Sequence, residues 1–243
     1  MFNKKIYHLC PMSKQTVFIS QDDHHSILIA EKKDKFFVFD LDETLYSVGN
    51  PLAIHIDTQP LELLKRHSHI IDPLETKKQY FEKYGLACKG FFKDGLITPE
   101  EYDGYFVSAK YESWLKGEWD VKSLMDKIPY KKAVFSNSPK NHIVWSLEAM
   151  GLQDYFDYVV YADYYSENII CKPMDEALSI IEKIANVESN EHIYFFDDSH
   201  LNASAAIKRG WNVHHITKKN TILHLIPEIM ESLKGEVKIT NEE

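Results

Sequence analysis

Short apolar runs alternate with amphipathic stretches over the C-terminal half of the chain. Runs of strand length occur at 132–136, 158–161, 192–196 and 211–216, and the segments between them place apolar residues at helical spacing. Strands separated by helices are typical of a parallel sheet. The pattern therefore predicts an α/β fold with a parallel sheet flanked by helices.

An earlier apolar run, residues 36–39, predicts a further buried strand, and acidic residues follow it at once. Asp40 and Asp42 come directly after the run, and Thr44 follows two positions later. Extended backbone would place both carboxylates on one side. Because an unpaired buried charge is costly, this pair indicates a bound cation or catalysis. The alternative interpretation is a strand that ends in a solvated acidic turn.

Residues 50–118 carry helix signals and no sustained strand pattern. Asp72 and Thr98 each precede a proline, which is typical of a helix start, and Gly85 is placed to end the first of these helices. We therefore predict a helical insertion after the first strand. In the later part of the chain we expect one helix to open at Pro173 and another to begin near Pro227.

Polar residues follow several predicted strands, where ligands bind in an open α/β sheet. Ser136 and Asn137 end one strand, Asp197 and Asp198 end another, and Lys172 lies just before a helix. Taken singly, each has a simpler explanation as a helix cap or an exposed side chain. Together, carboxylates suited to Mg²⁺ and groups suited to phosphate oxygens predict a phosphoryl-transfer site.

The composition of the chain disfavours some classes of binding partner. The net charge is −9, which disfavours a nucleic-acid polymer, and no apolar run approaches membrane-spanning length. Three widely spaced cysteines form no metal-type pair and no disulfide framework. We expect a cytoplasmic protein with no membrane association.

These motifs, in this order, resemble those of the haloacid dehalogenase superfamily of phosphatases over residues 36–216. The four motifs of that superfamily correspond to Asp40-Leu41-Asp42-Glu43-Thr44, Ser136, Lys172 and Asp197-Asp198. The resemblance implies a Rossmann-like catalytic core with an inserted α-helical cap. The corresponding domains are an N-terminal extension at 1–34, the core at 35–49 and 119–243, and the cap at 50–118. Runs at 16–19 and 27–30 suggest a β-hairpin within the extension.

Within the superfamily, the sequence is most similar to pyrimidine 5′-nucleotidases. The likeness is carried by Tyr46, the run 80–87, Lys89-Gly90, residues 140–142, residues 171–173, and residues 196–199 with Asn202. It implies a cap that selects a nucleoside, a small phosphorylated metabolite as the partner, and a monomeric or homodimeric protein. Lys89, Tyr84, Phe91 and Phe92 are candidate nucleoside contacts, and the alternative is that the aromatic residues form the core of the cap.

The resemblance also implies a role for each motif residue. Asp40 is the nucleophile and forms an aspartyl-phosphate, and Asp42 protonates the leaving oxygen and later takes a proton from water. We expect bound phosphate to raise the pKa of Asp42. Ser136 and the amide of Asn137 bind phosphate oxygens, while Lys172 offsets their charge.

The implied cofactor is Mg²⁺. Its ligands would be Asp40, the backbone carbonyl of Asp42, and Asp198. Asp197 would lie outside the ligand shell and orient a water molecule or Lys172. The sequence leaves open which of the two adjacent aspartates binds the metal directly.

The resulting hypothesis is a Mg²⁺-dependent phosphomonoester hydrolase that acts on a nucleoside 5′-monophosphate. One alternative is a protein phosphatase, since residues 40–45 also resemble the Asp-x-Asp-x-Thr type. Another is a catalytically silent binding protein on the same fold. Dehalogenases and phosphonate-cleaving enzymes are disfavoured, because they lack a carboxylate at the position of Asp42.

Overall fold

A computed structural model of the protein describes residues 16–23, 31–118 and 120–239. The strands are β1 (Val17–Ser20), β2 (Phe36–Phe39), β3 (Lys131–Phe135), β4 (Tyr158–Tyr161), β5 (Ile193–Asp197) and β6 (Asn212–His215). They form one sheet in the order β1-β4-β3-β2-β5-β6, and every neighbouring pair runs parallel. The predicted parallel α/β fold is confirmed.

Helices fill the connections between these strands. Between β2 and β3 lie α1 (Pro51–Leu64), α2 (Pro73–Tyr84), α3 (Ala87–Lys93), α4 (Pro99–Ser108), α5 (Tyr111–Trp114) and α6 (Asp120–Met125). The later helices are α7 (Lys140–Met150), α8 (Asp175–Ala185), α9 (His200–Lys208) and α10 (Ile222–Ile239), with a 3₁₀ turn at Asn190–His192. In the described part of the chain, helices therefore occupy the connection that follows the first motif.

The central strand β2 is buried on both faces, as its unbroken apolar sequence predicts. Phe37 and Phe39 pack on one face, in a cluster that includes Ile143 of α7 and Ile226 of α10. Phe36 and Val38 pack on the other face, against apolar residues of α8. Burial on both sides fixes the register of β2, and this register fixes where the polar residues after it emerge.

Two helices of the core begin at positions that differ from the predictions. Helix α8 begins at Asp175 and not at Pro173, because the amide of Met174 donates to the carbonyl of Cys171 in a turn that comes first. Helix α10 begins at Ile222 and passes through Pro227. Packing of apolar residues such as Ile226 against the sheet outweighs the one helical hydrogen bond that the proline removes.

The sheet begins inside the segment that the sequence analysis assigned to an N-terminal extension. Strand β1 pairs in parallel with β4 and forms one edge of the sheet. The second strand of the suggested hairpin, 27–30, lies outside the described residues. Part of the extension is thus built into the core, because β4 leaves an edge on which its apolar residues can pair and pack.

Helices α1 to α4 enclose an apolar cluster of their own, which includes Leu64, Phe91 and Phe106. Tyr164 and Ile169, from the loop after β4, complete that cluster and join it to the sheet. Gly90 allows α3 to approach α2 closely, because a Cβ atom at this position would overlap the ring of Tyr80. The helices therefore form a packed layer over the carboxyl ends of the strands.

Candidate active site

The register of the sheet brings the first and fourth motifs side by side. Phe39 of β2 pairs with Phe196 of β5, and the amide of Asp40 donates to the carbonyl of Phe196 at 2.9 Å. Asp40 and Asp197 therefore lie next to each other at the carboxyl ends of two adjacent strands. Parallel strands that end together place residues distant in sequence at one edge, as the predicted site requires.

Lys172 lies between these two carboxylates. Its Nζ atom is 2.7 Å from Asp40 Oδ1 and 2.7 Å from Asp197 Oδ2, and its side chain is only 1% exposed. Burial alone would lower the pKa of Lys172, but the charges and hydrogen bonds of Asp197 and Asp40 raise it above its usual value. The lysine is therefore a fixed positive charge inside the site.

Asn137 holds the backbone of Lys172 in place. The Asn137 Nδ2 atom donates to the Lys172 carbonyl at 2.9 Å, and the Lys172 amide donates to Asn137 Oδ1 at 2.7 Å. This two-way pairing joins the loop after β3 to the loop before α8. The Asn137 side chain positions the lysine, and its backbone amide is the group that was predicted to bind phosphate.

Three carboxylates at this edge are arranged as oxygen ligands for a cation. One oxygen each from Asp40, Asp197 and Asp198 lies within 4.8 Å of the others. Burial raises the pKa of Asp40 although Lys172 opposes the change, and burial together with Asp197 raises the pKa of Asp198 to about 6. Such a concentration of acidic oxygens, with raised pKa values, fits Mg²⁺ as the missing positive charge.

Asp197 and Asp198 differ in the number of hydrogen bonds that their carboxylates accept. Asp197 is fully buried and accepts hydrogen bonds from Lys172, the Ser199 amide and the Asn202 side chain. The carboxylate of Asp198 lines the cavity described below, and its backbone carbonyl faces His215 at 2.8 Å. Asp198 thus has the more open carboxylate of the pair.

The carboxylate of Asp42 is held by three side chains. Oδ1 accepts from Tyr46 at 2.6 Å and from His142 Nε2 at 2.7 Å, while Oδ2 accepts from Ser138 at 2.6 Å. Burial favours a higher pKa, but the charge of His142 and these hydrogen bonds lower the pKa of Asp42 to about 2. The protein's own groups thus act opposite to the predicted rise, because three donors stabilise the ionised form.

Ser136 lies at the bottom of the same cleft. Its side chain is buried, its Oγ atom accepts from the amide of Ser138 at 3.1 Å, and its carbonyl accepts from Gln21 Nε2 at 2.7 Å. Gln21 belongs to the N-terminal segment, to which the sequence analysis assigned no chemistry. The turn that follows β1 therefore contacts the backbone of the second motif, and no local sequence signal predicts this contact.

A cavity of about 440 Å³ extends from the carboxylates toward the helical layer. None of the predicted nucleoside contacts, Lys89, Tyr84, Phe91 and Phe92, lines it. Phe91 is fully buried in the helical cluster, as the alternative interpretation predicted. The residues that line the outer part of the cavity are Ala53, Ile56, Asp57, Lys77, Phe81, Gly85, Leu86, Ala87, Cys88, Tyr102 and Leu201.

Known structures share this architecture. A β-phosphoglucomutase from Clostridium difficile aligns with a TM-score of 0.57 and 18% identity over 85% of this chain and 99% of that one. A haloacid dehalogenase-like protein from Streptococcus pneumoniae aligns with a TM-score of 0.54 and 13% identity over 82% and 98% of the two chains. The chain has the fold of the haloacid dehalogenase-like hydrolases. At these identities, the likeness concerns the fold alone.

A more similar sequence is Phosphate metabolism protein 8 from Saccharomyces cerevisiae. It is 27% identical to this chain over 191 residues, which cover 72% of the chain and 59% of the yeast protein. The chain thus matches about three fifths of the length of that relative. Models of known protein families give no match. Among the described residues, none of the helices combines the length and apolar character needed to cross a bilayer.

Proposed function

We propose that this protein is a Mg²⁺-dependent phosphomonoester hydrolase that works through an aspartyl-phosphate on Asp40. The observation that carries the proposal is the position of the Lys172 ammonium, 2.7 Å from both Asp40 and Asp197, with Asp198 beside them. A dianionic phosphate can approach these carboxylates only where positive charge offsets the repulsion. The similarity to a relative named for phosphate metabolism supports the same chemistry.

In the first step, an oxygen of Asp40 attacks phosphorus and the bond to the ester oxygen breaks. Asp42, protonated in the substrate complex because the charge of the bound phosphate opposes the effect of its three donors, gives its proton to the departing alcohol. In the second step, water attacks the phosphorus of the acyl phosphate, Asp42 takes its proton, and the carboxylate of Asp40 is released. Ser136 and the Asn137 amide bind the phosphate oxygens throughout. Lys172 offsets the negative charge that builds up on the transferring group.

Mg²⁺ would be held by Asp40, Asp198 and the backbone carbonyl of Asp42, and it would supply a positive charge that neutralises phosphate oxygens. Asp198 is the preferred direct ligand because its carboxylate faces the cavity. Asp197, whose oxygens already accept several hydrogen bonds, would instead fix Lys172 and the loop after β5.

For the substrate, we propose a nucleoside 5′-monophosphate. The cavity has a volume suited to a small organic ligand. Beyond the phosphate end, it offers Phe81 and Tyr102 as aromatic surfaces and the ion-paired Lys77 and Asp57 as polar groups. This combination suits a base that needs both stacking and hydrogen bonds. A bulky phosphopeptide would fit poorly beneath the helical layer, which disfavours the protein phosphatase alternative.

The direct test is a phosphate-release screen with Mg²⁺ that compares nucleoside monophosphates, sugar phosphates and phosphopeptides. We expect the highest kcat/KM with a nucleoside monophosphate. Preferred turnover of phosphopeptides would support a protein phosphatase, and an absence of turnover on the whole panel would support a silent binding protein.

A substitution in the cavity tests the nucleoside assignment. We expect Phe81→Ala to raise KM for the preferred nucleotide about tenfold, the order of a lost stacking contact, with little change in kcat. Leu74→Ala is the matched control, since Leu74 is exposed on the same helix but does not line the cavity. Equal effects of the two substitutions would contradict a base-binding role for this part of the cavity.

A further inference from the structure

The proposed acid–base residue, Asp42, is held by a series of hydrogen-bonded side chains. The series begins at Tyr111, which does not line the cavity, and reaches Asp42 through His142. His142 connects Asp42 to Tyr111: its Nε2 atom lies 2.7 Å from Asp42 Oδ1, and its Nδ1 atom lies 2.9 Å from the Tyr111 hydroxyl. Asp42 Oδ1 also accepts from Tyr46, and it remains an acceptor when Oδ2 holds the proton for the leaving group, so Nε2 carries a hydrogen and donates it to Asp42. The imidazole is thus oriented from both of its nitrogens.

The packing around His142 leaves the ring no freedom to turn. The side chain is completely buried, and the rings of Phe106 and Tyr111 pack against it with centroid distances of 5.0 and 5.6 Å. Phe106 belongs to α4 of the helical layer, Tyr111 begins α5, and His142 lies in the first turn of α7. Three elements therefore meet at this imidazole.

His142 differs from an ordinary buried histidine because it supports a residue of the cavity wall. Asp42 is about a quarter exposed and lines the cavity, so this end of the hydrogen-bonded series reaches the reacting groups, while Tyr111 at the other end is buried. Ser138 and Tyr46 fix the rest of the carboxylate. A catalytic group is effective only when it is held within a fraction of an ångström of its productive position, which requires such supporting contacts.

We infer that His142, fixed by Tyr111, is a positioning residue that orients the Asp42 carboxyl for proton transfer to the leaving group. The inference rests on the proposed phosphatase function and adds to it two residues that do not touch the substrate. His142 acts through Asp42, and Tyr111 acts through His142. The proton transferred in the reaction is that of Asp42.

The test compares two esters that differ in their need for an acid. Departure of a nucleoside alcohol requires protonation of its oxygen, whereas p-nitrophenolate leaves as a stable anion. The ratio kcat/KM covers the steps up to departure of the leaving group, so a displaced acid lowers it selectively for the nucleotide. A general loss of folding or of metal binding would lower it equally for both esters.

We expect His142→Leu to lower kcat/KM for UMP by about 10- to 100-fold and for p-nitrophenyl phosphate by less than about threefold, because a displaced acid loses part of the roughly 100- to 10,000-fold that general acid catalysis contributes. His142→Gln, which keeps a donor near the position of Nε2, should recover part of the loss on UMP. Tyr111→Phe removes a single oxygen and should show the same selectivity with a smaller effect. It also keeps the inference testable if the leucine variant does not fold.

The matched control is Tyr165→Phe, which removes a tyrosine hydroxyl bonded to the Asp103 carboxylate at 2.7 Å, outside the cavity. It should leave kcat/KM for both esters unaffected.

In the His142→Leu background, Tyr111→Phe should cause no further loss of kcat/KM, because Tyr111 acts only through the imidazole. Equal losses on both esters, or additive losses in the double variant, would overturn the inference while leaving the phosphatase function intact. A wild-type protein inactive on both esters would overturn both proposals.

Discussion

Asp40, Asp197 and Asp198 bring three carboxylates together around one lysine, so negative charge exceeds positive charge at the carboxyl edge of the sheet. Burial raises the pKa values of Asp40 and Asp198, and the neighbouring carboxylates add to the increase. A divalent cation that binds there must compete with protons for the same oxygens. Proton uptake and metal binding are therefore opposed at the level of single residues.

We expect Mg²⁺ to raise the thermal unfolding midpoint more at about pH 7.5 than at about pH 5.5, because the pKa of Asp198 lies near 6 and its protonated form binds the ion poorly. Asp198→Asn should lose most of the Mg²⁺ effect at both pH values. Glu167→Gln, at an exposed position, is the control and should behave as the wild type. An equal Mg²⁺ effect at the two pH values would contradict this account of the charges.

The helical layer owes its shape to the close packing of α2 on α3. Gly90 makes that approach possible, since Tyr80 occupies the space where any larger side chain would lie. Phe81, which lines the cavity, is carried by the same helix as Tyr80. The geometry of the cavity wall therefore depends on a glycine that does not itself line the cavity.

We expect Gly90→Ala to destabilise the protein by about 1–3 kcal/mol, the usual cost of overpacking, and to reduce affinity for the substrate. Gly104→Ala is the matched control, because Gly104 lies in α4 with open space around it. That change should be neutral or stabilise the helix by up to about 1 kcal/mol. Chemical denaturation measures both variants, and equal effects would show that the α2–α3 contact is not limiting.

The turn after β1 supports the second motif through a side chain. The Gln21 amide donates to the Ser136 carbonyl at 2.7 Å, and the Asp22 carboxylate accepts from the amide of Ile170. The turn after β1 therefore contacts the segment just before Lys172 as well as the end of β3. A turn at the sheet edge thus contributes to the order of two motif loops.

We expect Gln21→Ala to lower the free energy of unfolding by about 1–3 kcal/mol, because it leaves the buried carbonyl of Ser136 without this donor. KM for phosphate esters should rise as the loop loses its support. Gln79→Ala, which removes an amide that bonds to Glu75 on the exposed surface of α2, is the control and should change stability by less than about 0.5 kcal/mol. A stability loss without any change in KM would assign Gln21 a purely structural role.

At the scale of the whole molecule, the site lies where a parallel sheet meets a helical layer. The cavity has acidic groups and Lys172 at the sheet end, and mainly apolar or aromatic residues together with the Lys77–Asp57 ion pair at the helical end. This division suits a substrate with a phosphate at one end and an organic group at the other. Chemistry and selectivity would then be carried by different parts of one cavity.

The sequence was sufficient to predict the sheet and the convergence of its motif residues, because strand ends in a parallel sheet share one edge. Lys172, which taken alone was best explained as an exposed side chain, could be placed only through its partners in that set. The three donors to Asp42 could not be predicted, since Tyr46, Ser138 and His142 come from separate segments and meet only through side-chain geometry. The contact between Gln21 and Ser136 could not be predicted either, because it depends on the order of the strands in the sheet.

The central claim is that Asp40 is phosphorylated during turnover. The most direct measurement is mass spectrometry of the peptide that contains Asp40, after acid quenching of the protein during turnover of its best phosphate ester with Mg²⁺. We predict that this peptide gains the mass of one phosphoryl group, that EDTA prevents the gain, and that Asp40→Asn shows neither phosphorylation nor turnover while retaining its thermal midpoint within a few degrees. Turnover by Asp40→Asn at near the wild-type rate, or phosphoryl transfer to another residue, would contradict the account.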